Sequence, residues 1–297
     1  MTSFAAIQMC SSLDEAENFS TCERLLDEAA EKGARFVVLP ENFLRFGIKV
    51  KPSISEQYAF INRMITLAKS KGLNIFPGTY PIQAEVLNKI FASDPEISSR
   101  QSAPLSDIEK PFATSLSVTS EGKCIAYYNK LHLFDVDVSE NSKRRPYRES
   151  DEYRAGDSLG LSDSGIGKIG MAICYDLRFP EYFQVLARRG AKVVIVPSAF
   201  TEATGEPHWE VLLRARAIEN QIYIVAANQG ARSPNFHECG LATWGDSMIV
   251  SPWGEVLAKQ DVGEGVVIAD LDFSTIEDIR EKMPVSIHRS SRLTTLT

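Results

Sequence analysis

Three residues with reactive side chains each lie in or at the end of an apolar, strand-like run. Glu41 follows the run Phe-Val-Val-Leu-Pro, Cys174 ends the run Gly-Met-Ala-Ile-Cys, and Lys130 lies in an aromatic-rich stretch. A thiol, an ammonium group and a carboxylate can together supply a nucleophile, a cation for developing negative charge and a proton carrier. Each residue alone also fits a structural role: an inert buried cysteine, a lysine that protects a sheet edge, or a glutamate on a surface loop.

The elements that must position these residues are those of an α/β protein. Apolar strand-like runs alternate with longer helical patterns, which is typical of a parallel-type sheet with covered faces. Strands are predicted at about 4–9, 36–39, 73–78, 168–173, 193–196, 222–227 and 266–271, and hairpins at about 114–131 and 248–259. Helices are predicted at about 14–32, 55–71, 180–189, 207–220 and 275–282. Because open α/β sheets bind ligands at the carboxyl ends of their strands, Glu41 and Cys174 are expected at such an edge.

Longer polar stretches between these elements are expected to be loops. Residues 85–111 resemble an insertion, residues 136–158 and 229–239 are also polar, and residues 288–297 are expected to be a C-terminal tail. Long loops are uncommon in a compact domain and are often functional. No linker, repeat or charge block divides the chain, so residues 1–297 are expected to form one domain.

The composition is that of an ordinary globular protein with a surplus of acidic residues. Of the 297 residues, 44% are hydrophobic and 24% are charged, and the formal net charge is −7. An acidic chain does not fit a dedicated nucleic-acid binder, which needs surplus basic side chains. The apolar runs are too short to span a membrane. Five scattered cysteines without a CxxC pair are typical of a reducing compartment, so we expect a cytoplasmic protein without nucleic-acid or membrane partners.

Several segments, in order along the chain, resemble the motifs of the nitrilase superfamily of carbon–nitrogen hydrolases. They are 39–43 (LPENF), 129–135 (NKLHLFD), 170–181 (GMAICYDLRFPE), 204–219 (TGEPHWEVLLRARAIE) and 244–250 (WGDSMIV). The likeness extends from about Phe4 to about Arg289. It implies an α/β fold, a four-layer α-β-β-α sandwich that pairs through its helices into a homodimer or a higher homo-oligomer. It implies neither a metal nor an organic cofactor.

By the same resemblance, the catalytic residues of the superfamily fall on Glu41, Lys130 and Cys174. Cys174 is then the nucleophile, and Glu41 is the general base. Lys130 stabilises the oxyanion and donates a proton, with the backbone N–H of Tyr175 as a second oxyanion donor. A further glutamate that supports the lysine falls on Glu149 in the segment Tyr-Arg-Glu-Ser. The ammonium group of Lys130 is expected to lower the pKa of the Cys174 thiol.

Within the superfamily, the chain looks most like amidases that act on deaminated glutathione, with omega-amidases as the neighbouring group. This likeness implies a small amide substrate that carries a 2-oxo acid, cleaved to 2-oxoglutarate and either an amine or cysteinylglycine. Amides of the omega-amidase type and N-carbamoyl amino acids remain alternatives. Nitriles are a weaker alternative, because Tyr175-Asp176 follows the cysteine where nitrilases proper typically have Trp-Glu.

A carboxylate on the substrate requires a cation, and Arg178 is the candidate. Its alternative role is an ion pair with Asp176 or Glu181. The other predicted substrate-binding residues are Tyr175, Thr204, His208 and Trp209. For Trp209 core packing stays open, because a tryptophan near a helix start is more often a core residue.

Other site types and a non-enzymatic role are weighed against this prediction. Residues 165–170 match GxGxxG, but the run precedes a strand instead of opening a helix, so it indicates a turn. His132, Asp135 and Asp137 would be the candidates for a metal site, although the chain has four histidines and no HExxH pattern. The non-enzymatic alternative is a scaffold that keeps the fold without activity. The intact set of three reactive residues argues against it.

Overall fold

Two β-sheets lie face to face in this protein, and helices cover the outer face of each sheet. The computed structural model describes residues 1–92, 110–140, 143–230 and 242–290. The strands are β1 (Thr2–Gln8), β2 (Phe36–Val38), β3 (Asn74–Phe76), β4 (Tyr80–Ile82), β5 (Phe112–Val118), β6 (Cys124–Asn129), β7 (Asp135–Glu140), β8 (Lys143–Arg148), β9 (Gly160–Asp163), β10 (Lys168–Met171), β11 (Ala191–Ser198), β12 (Tyr223–Asn228), β13 (Ser247–Val250), β14 (Val256–Gln260) and β15 (Gly265–Leu271). The helices are α1 (Glu15–Glu31), α2 (Ile54–Lys71), α3 (Ala84–Ile90), α4 (Pro180–Arg188), α5 (Glu202–Asn220), α6 (Ser274–Lys282) and α7 (Val285–Ser290). The predicted four-layer α-β-β-α sandwich is confirmed.

The strand order of the two large sheets determines which parts of the chain meet. The first sheet has the order β15-β1-β2-β3-β5-β4, with β6 paired to β5, and the second has the order β14-β13-β12-β11-β10-β9. Strands β1, β2 and β3 are parallel neighbours, and so are β10, β11 and β12. The hairpin β7–β8 forms a separate two-stranded sheet. The residues that follow β2 and β10 therefore lie at the carboxyl edges of their sheets, where ligands bind in α/β proteins.

The alternation of side chains along β1 separates the layers. Phe4 and Ala6 belong to a core that includes the second sheet, α4 and α5, whereas Ala5 and Ile7 belong to a core with α1 and α2. All four side chains are fully buried. Successive side chains of a strand point to opposite faces, so β1 packs against the other sheet on one side and against helices on the other. The continuous apolar sequence of β1 follows from this burial on both faces.

The structure corrects two stretches that were predicted to be loops. Part of the 85–111 stretch is helical, because α3 covers Ala84–Ile90, while residues 93–109 lie outside the described ranges. The 136–158 stretch contains most of the β7–β8 hairpin. Charged and polar residues make up much of this hairpin, so hydrophobic periodicity could not reveal its strands.

Three other predicted segments differ from the structure or extend outside the described residues. Helix α5 begins at Glu202, and Pro207, the predicted start, lies inside it. Proline marks the first helical turn so often that it was a misleading start signal here. Part of the predicted tail belongs to α7, whereas residues 291–297 and 231–241 lie outside the described ranges. None of the helices that the structure describes is both long and apolar enough to cross a bilayer.

Candidate active site

Glu41 lies just beyond the carboxyl end of β2, where the chain makes a tight turn. Its side chain is buried, at 4% exposure. The next residue, Asn42, has a φ of 54°, and its backbone N–H donates to Thr79 Oγ1 at 2.9 Å. Gly78 packs so closely against this turn that a Cβ there would lie 1.9 Å from the Pro40 carbonyl oxygen. A residue without a side chain is therefore required at position 78 for the turn that positions Glu41.

Lys130 directly follows β6, and two carboxylates bind its buried ammonium group. The Nζ atom lies 2.7 Å from Glu41 Oε1 and 2.9 Å from Glu149 Oε2. Glu149 Oε2 also accepts the backbone N–H of Phe134 at 2.6 Å, which holds this carboxylate in place. A buried ammonium group is stable only when it is paired and hydrogen-bonded. The two glutamates account for the burial of Lys130.

Cys174 begins a short 3-10 helix, Cys174–Arg178, that follows β10 in the second sheet. Its φ of 44° lies in the left-handed region, which residues other than glycine rarely adopt. Backbone conformations of this kind cluster at active sites, where the surrounding structure holds them. The side chain is 8% exposed and lines the same cavity as Glu41 and Lys130. The structure thus brings together three residues that belong to two different sheets.

The pKa of the Cys174 thiol is raised well above its ordinary value, whereas the sequence analysis expected it to be lowered. Burial is the main cause, the Glu41 carboxylate raises the pKa further, and Lys130 lowers it. The ammonium group acts in the expected direction, but burial and the neighbouring carboxylate outweigh it. Burial also lowers the pKa of Lys130, yet the carboxylates of Glu149 and Glu41 reverse this and raise it well above its usual range. The resting site therefore holds a neutral thiol beside a charged lysine.

A cavity of about 260 Å³ opens over these side chains. Glu41, Lys130, Glu149 and Cys174 all line it. Three of the predicted substrate-binding residues line it as well, namely Tyr175, Arg178 and Thr204. A cavity of this size that combines charged and aromatic walls fits a small polar molecule.

The other two predicted substrate-binding residues, His208 and Trp209, do not line the cavity. Trp209 is fully buried, its Nε1 donates to the Asp246 carbonyl oxygen at 2.7 Å, and its ring lies 4.8 Å from that of Phe200. It is a core residue, because both its apolar ring and its single donor are used inside the protein. His208 is exposed and lies 3.2 Å from the Arg178 guanidinium through Nδ1, so it reaches the cavity only through that arginine.

Arg178 places a guanidinium group at the cavity wall next to aromatic rings. The group lies 5.9 Å from the centre of the Tyr175 ring and 5.4 Å from that of Phe200. The alternative ion pair with Asp176 or Glu181 is not formed, and Arg178 has no carboxylate partner among the residues that the structure describes. A guanidinium group at this wall can bind an anionic group of a ligand.

Two buried polar residues to which the sequence analysis gave no role in the site connect the two sheets there. Gln229, which follows β12 in the second sheet, donates from Nε2 to the Glu41 carbonyl oxygen at 3.1 Å. Asp176 is fully buried, and it accepts hydrogen bonds from Tyr128 Oη and from the Ile173 backbone N–H, both at 2.8 Å. In the sequence, the one feature that pointed to these two residues was a polar side chain at or just after the end of an apolar run.

The residues considered for a metal site do not converge. His132 Nδ1 lies 2.7 Å from Asp176 Oδ1, whereas Asp137 pairs with an arginine at 3.0 Å and Asp135 accepts a backbone N–H. No cluster of three potential metal ligands occurs in the part of the chain that the structure describes. The glycine-rich run at 165–170 leads into β10 and opens no helix, as its order in the sequence indicated.

The chain matches the family of carbon–nitrogen hydrolases over residues 3–281. It is 35% identical over 288 residues to a deaminated glutathione amidase of Yersinia enterocolitica, covering 96% of this chain and 91% of that protein. It is 33% identical over 293 residues to omega-amidase NIT2-B of Xenopus laevis, covering 98% and 95% of the two chains. The crystal structure of Saccharomyces cerevisiae Nit3, a member of branch 10 of the nitrilase superfamily, is similar with a TM-score of 0.76, 28% identity and coverage of 97% and 96%. The protein therefore belongs to the carbon–nitrogen hydrolase family of the nitrilase superfamily.

Proposed function

We propose that this protein is an amidase that uses Cys174 to hydrolyse the C–N bond of a small 2-oxo acid amide through a thioester. One observation supports the proposal most strongly. Lys130 Nζ contacts Glu41 Oε1 at 2.7 Å on the wall of the cavity that Cys174 also lines. A carboxylate, an ammonium group and a thiol around one cavity are the groups that acyl transfer needs. The names of the amidase relatives support the same class of reaction.

In the first half of the reaction, Glu41 takes the thiol proton while the sulfur of Cys174 attacks the amide carbonyl carbon. This transfer moves a negative charge from the carboxylate to the sulfur and leaves the net charge of the site unchanged. It therefore suits a thiol whose pKa is raised. Lys130 and the backbone N–H of Tyr175 stabilise the oxyanion, and one such donor is worth about 100- to 1000-fold in rate. Glu41 then gives the proton to the leaving nitrogen, the C–N bond breaks and the amine departs.

In the second half, water completes the hydrolysis of the thioester. Glu41 removes a proton from a water molecule as its oxygen attacks the thioester carbonyl carbon, and Lys130 again stabilises the oxyanion. The C–S bond then breaks, Glu41 returns the proton to the sulfur, and the carboxylic acid is released. One amide and one water become one acid and one amine, so atoms and protons balance without a further reactant.

We propose deaminated glutathione as the substrate, with 2-oxoglutarate and cysteinylglycine as the products. Arg178 then binds the carboxylate of the 2-oxo acid, since its guanidinium lines the cavity and has no carboxylate partner among the described residues. Thr204 lines the same cavity and offers a hydroxyl group that lies 3.0 Å from that of Thr201. The relative from Yersinia enterocolitica carries the name of this activity and supports the choice of substrate.

Omega-amidase activity on 2-oxoglutaramate or 2-oxosuccinamate is the second candidate, and the Xenopus laevis relative carries that name. The two activities share the 2-oxo acid and differ in the leaving group, which is cysteinylglycine in one case and ammonia in the other. The test compares kcat/KM for deaminated glutathione, 2-oxoglutaramate and an N-carbamoyl amino acid, with Cys174→Ala as the control. We expect kcat/KM for deaminated glutathione to be at least about tenfold higher than that for either of the other two compounds.

A preference for 2-oxoglutaramate would assign the omega-amidase reaction, and a preference for the N-carbamoyl compound would assign that hydrolysis instead. Hydrolysis of none of these compounds would support the scaffold alternative. Activity that survives in Cys174→Ala would reject the thioester mechanism, because no other group could then form the acyl intermediate at that position.

We also propose that the protein forms a homodimer through its helical layer. Helix α5 exposes Val211 and Ile218, and the adjoining β13–β14 hairpin exposes Trp253 with 59% of its surface accessible. Ile218 lies against this hairpin, since a Cβ on Gly254 would be 2.5 Å from Ile218 Cδ1. A shared apolar patch of this kind is typical of an interface. Analytical ultracentrifugation should give about twice the chain mass of 32.9 kDa, and a monomer at all concentrations would reject the dimer.

We propose a cytoplasmic location from the state of the cysteines. The four cysteines within the described ranges are all free. Free thiols persist in a reducing compartment, whereas secreted proteins tend to pair them. Cell fractionation should recover the protein with cytosolic markers, and recovery outside that fraction would reject this location.

A further inference from the structure

Asp176 is a fully buried carboxylate that accepts three hydrogen bonds and contacts a histidine ring nitrogen. Its Oδ2 atom accepts from Tyr128 Oη and from the Ile173 backbone N–H, both at 2.8 Å. Its Oδ1 atom accepts from the His132 backbone N–H at 3.1 Å and lies 2.7 Å from His132 Nδ1. Removal of the carboxylate would take the acceptor from the Tyr128 hydroxyl and from the two backbone N–H groups.

The donors that Asp176 binds flank both reactive residues. Tyr128 and His132 lie two positions before and two positions after Lys130, and Ile173 directly precedes Cys174. Tyr128 lies near the end of β6 in the first sheet and His132 follows that strand, whereas Ile173 follows β10 of the second sheet. One carboxylate thus joins the backbone around the lysine to the backbone around the cysteine.

Two further contacts tighten this connection. The Tyr128 hydroxyl accepts the backbone N–H of Leu131 at 3.1 Å, so it binds Asp176 and the Lys130 segment at once. The ring of His132 stacks on Phe179 at 3.6 Å with an angle of 8°, which fixes the imidazole. Since the left-handed conformation of Cys174 is held by its surroundings, the Ile173 hydrogen bond also stabilises that turn.

We propose that Asp176 is a positioning residue: its carboxylate holds the ammonium group of Lys130 and the thiol of Cys174 at their working separation. As a contribution to turnover, this inference rests on the proposed amidase function. As a contribution to thiol reactivity, it can be measured without any amide substrate. A displacement of about 1 Å between reacting groups is enough to cost about 100-fold in rate.

The test substitutes Asp176→Asn, which keeps the shape of the side chain but turns one acceptor into a donor that faces other donors. The matched control is Asp246→Asn. Asp246 is a buried aspartate of the second sheet, 4% exposed, that pairs with Lys259 at 2.9 Å and does not line the cavity. For each variant, kcat is expressed per folded molecule, with the folded fraction taken from the near-UV circular dichroism of the same sample, so that unfolded protein does not count. The pH midpoint of Cys174 labelling by iodoacetamide is measured as well.

In Asp176→Asn we expect kcat per folded molecule to fall about 100-fold while KM stays within about threefold. The shift of the labelling midpoint is measured in Tyr128→Phe, which keeps the charges of Glu41, Lys130 and Asp176. The midpoint should move to higher pH there, because Lys130 lowers the pKa of Cys174 and this effect weakens when the lysine shifts. A purely structural role would reduce the folded fraction and leave both values unchanged. The proposal requires both changes, so the absence of either one overturns it. Equal changes in Asp246→Asn also overturn it.

A second variant covers the case in which Asp176→Asn does not fold. Tyr128→Phe removes a single donor from the same carboxylate, and we expect about tenfold lower kcat together with the midpoint shift to higher pH. Unchanged values in Tyr128→Phe would overturn the proposal. If the unmodified protein hydrolyses none of the amides, the amidase function fails, and the labelling midpoint still decides the role of Asp176.

Discussion

The ammonium group of Lys130 lies 2.7 Å from the carboxylate of Glu41, although 89 residues separate the two in the sequence. Glu41 follows β2 and Lys130 follows β6, and strands β3 and β5 lie between them in the first sheet. The long lysine side chain therefore reaches along the edge of the sheet to meet the glutamate. The contact places a fixed positive charge beside the group that is proposed to carry the proton.

The charges around Lys130 explain why the thiol is neutral at rest. One ammonium group faces two carboxylates, those of Glu41 and Glu149, so the cluster already carries a net negative charge when all three are ionised. A thiolate would add a second negative charge in a buried place, which is unfavourable. Transfer of the proton from Cys174 to Glu41 avoids that cost, because the net charge does not change. The arrangement thus favours a base-assisted thiol over a preformed thiolate.

Replacement of Cys174, the proposed nucleophile, should abolish turnover. We expect Cys174→Ala to release no detectable 2-oxoglutarate from deaminated glutathione, since no thioester can form. Cys124→Ala is the control, because Cys124 lies at the start of β6 and does not line the cavity, and its activity should stay within about twofold. Mass spectrometry should also find iodoacetamide on Cys174 before the other cysteines, because Glu41 can accept the thiol proton while the sulfur is alkylated. Uniform labelling of all cysteines would contradict this prediction.

Removal of the charge on Glu41 should make the Cys174 thiol easier to label and turnover slower. The Glu41 carboxylate raises the pKa of Cys174, so the neutral amide in Glu41→Gln should lower that pKa and move the labelling midpoint to lower pH. Turnover should fall by about 1000-fold or more, because the proton carrier is lost. Glu181→Gln, in the exposed first turn of α4, should change neither value. A labelling midpoint that moves to higher pH would contradict the predicted direction.

Removal of the guanidinium group should weaken binding of a charged substrate specifically. For Arg178→Met we expect KM for the 2-oxo acid amide to rise about 10- to 100-fold, the loss expected for one hydrogen-bonded ion pair. An uncharged amide such as propionamide should be hydrolysed about equally by both proteins. Arg188→Met, on the exposed side of α4, is the matched control and should leave KM unchanged. Equal increases in KM for charged and uncharged amides would show that Arg178 does not bind the carboxylate of the substrate.

The amide side chain of Gln229 should be needed both for stability and for the position of Glu41. Gln229→Leu removes the hydrogen bonds that the amide makes with the Glu41 carbonyl oxygen and the Ser11 backbone N–H, so the free energy of unfolding should fall by about 2 kcal/mol. The turnover rate should fall about tenfold as the Glu41 turn shifts. Urea denaturation and steady-state kinetics measure the two effects.

The control for Gln229 is Gln57→Leu. Gln57 is equally buried and also bridges two backbone groups, those of Pro52 and Gln83, but it lies on α2 away from the cavity. This variant should lose similar stability and keep its turnover rate. An unchanged turnover rate in Gln229→Leu would limit that residue to a structural role.

Most helices and strands of the two large sheets could be predicted from the sequence because their signals are local. The apolar runs of β1 and β2 are buried on both faces. In α1 and α2, apolar residues that pack on the sheet recur at helical spacing among polar residues. The hairpin β7–β8 was missed because its charged sequence carries no apolar face. Its two strands pair with each other through their backbones, and this pairing leaves no periodic apolar signal in the sequence.

The sequence by itself determined which reactive side chains are present, in which order, and that each stands at or near the end of a buried strand. Only the tertiary structure decided their properties. Burial together with Glu41 raises the pKa of Cys174 where Lys130 alone would lower it, and Trp209 lies in the core instead of the cavity. The links made by Asp176 and Gln229 likewise join residues from two sheets. Electrostatic effects and burial depend on distances through space, and those distances exist only once the two sheets have packed together.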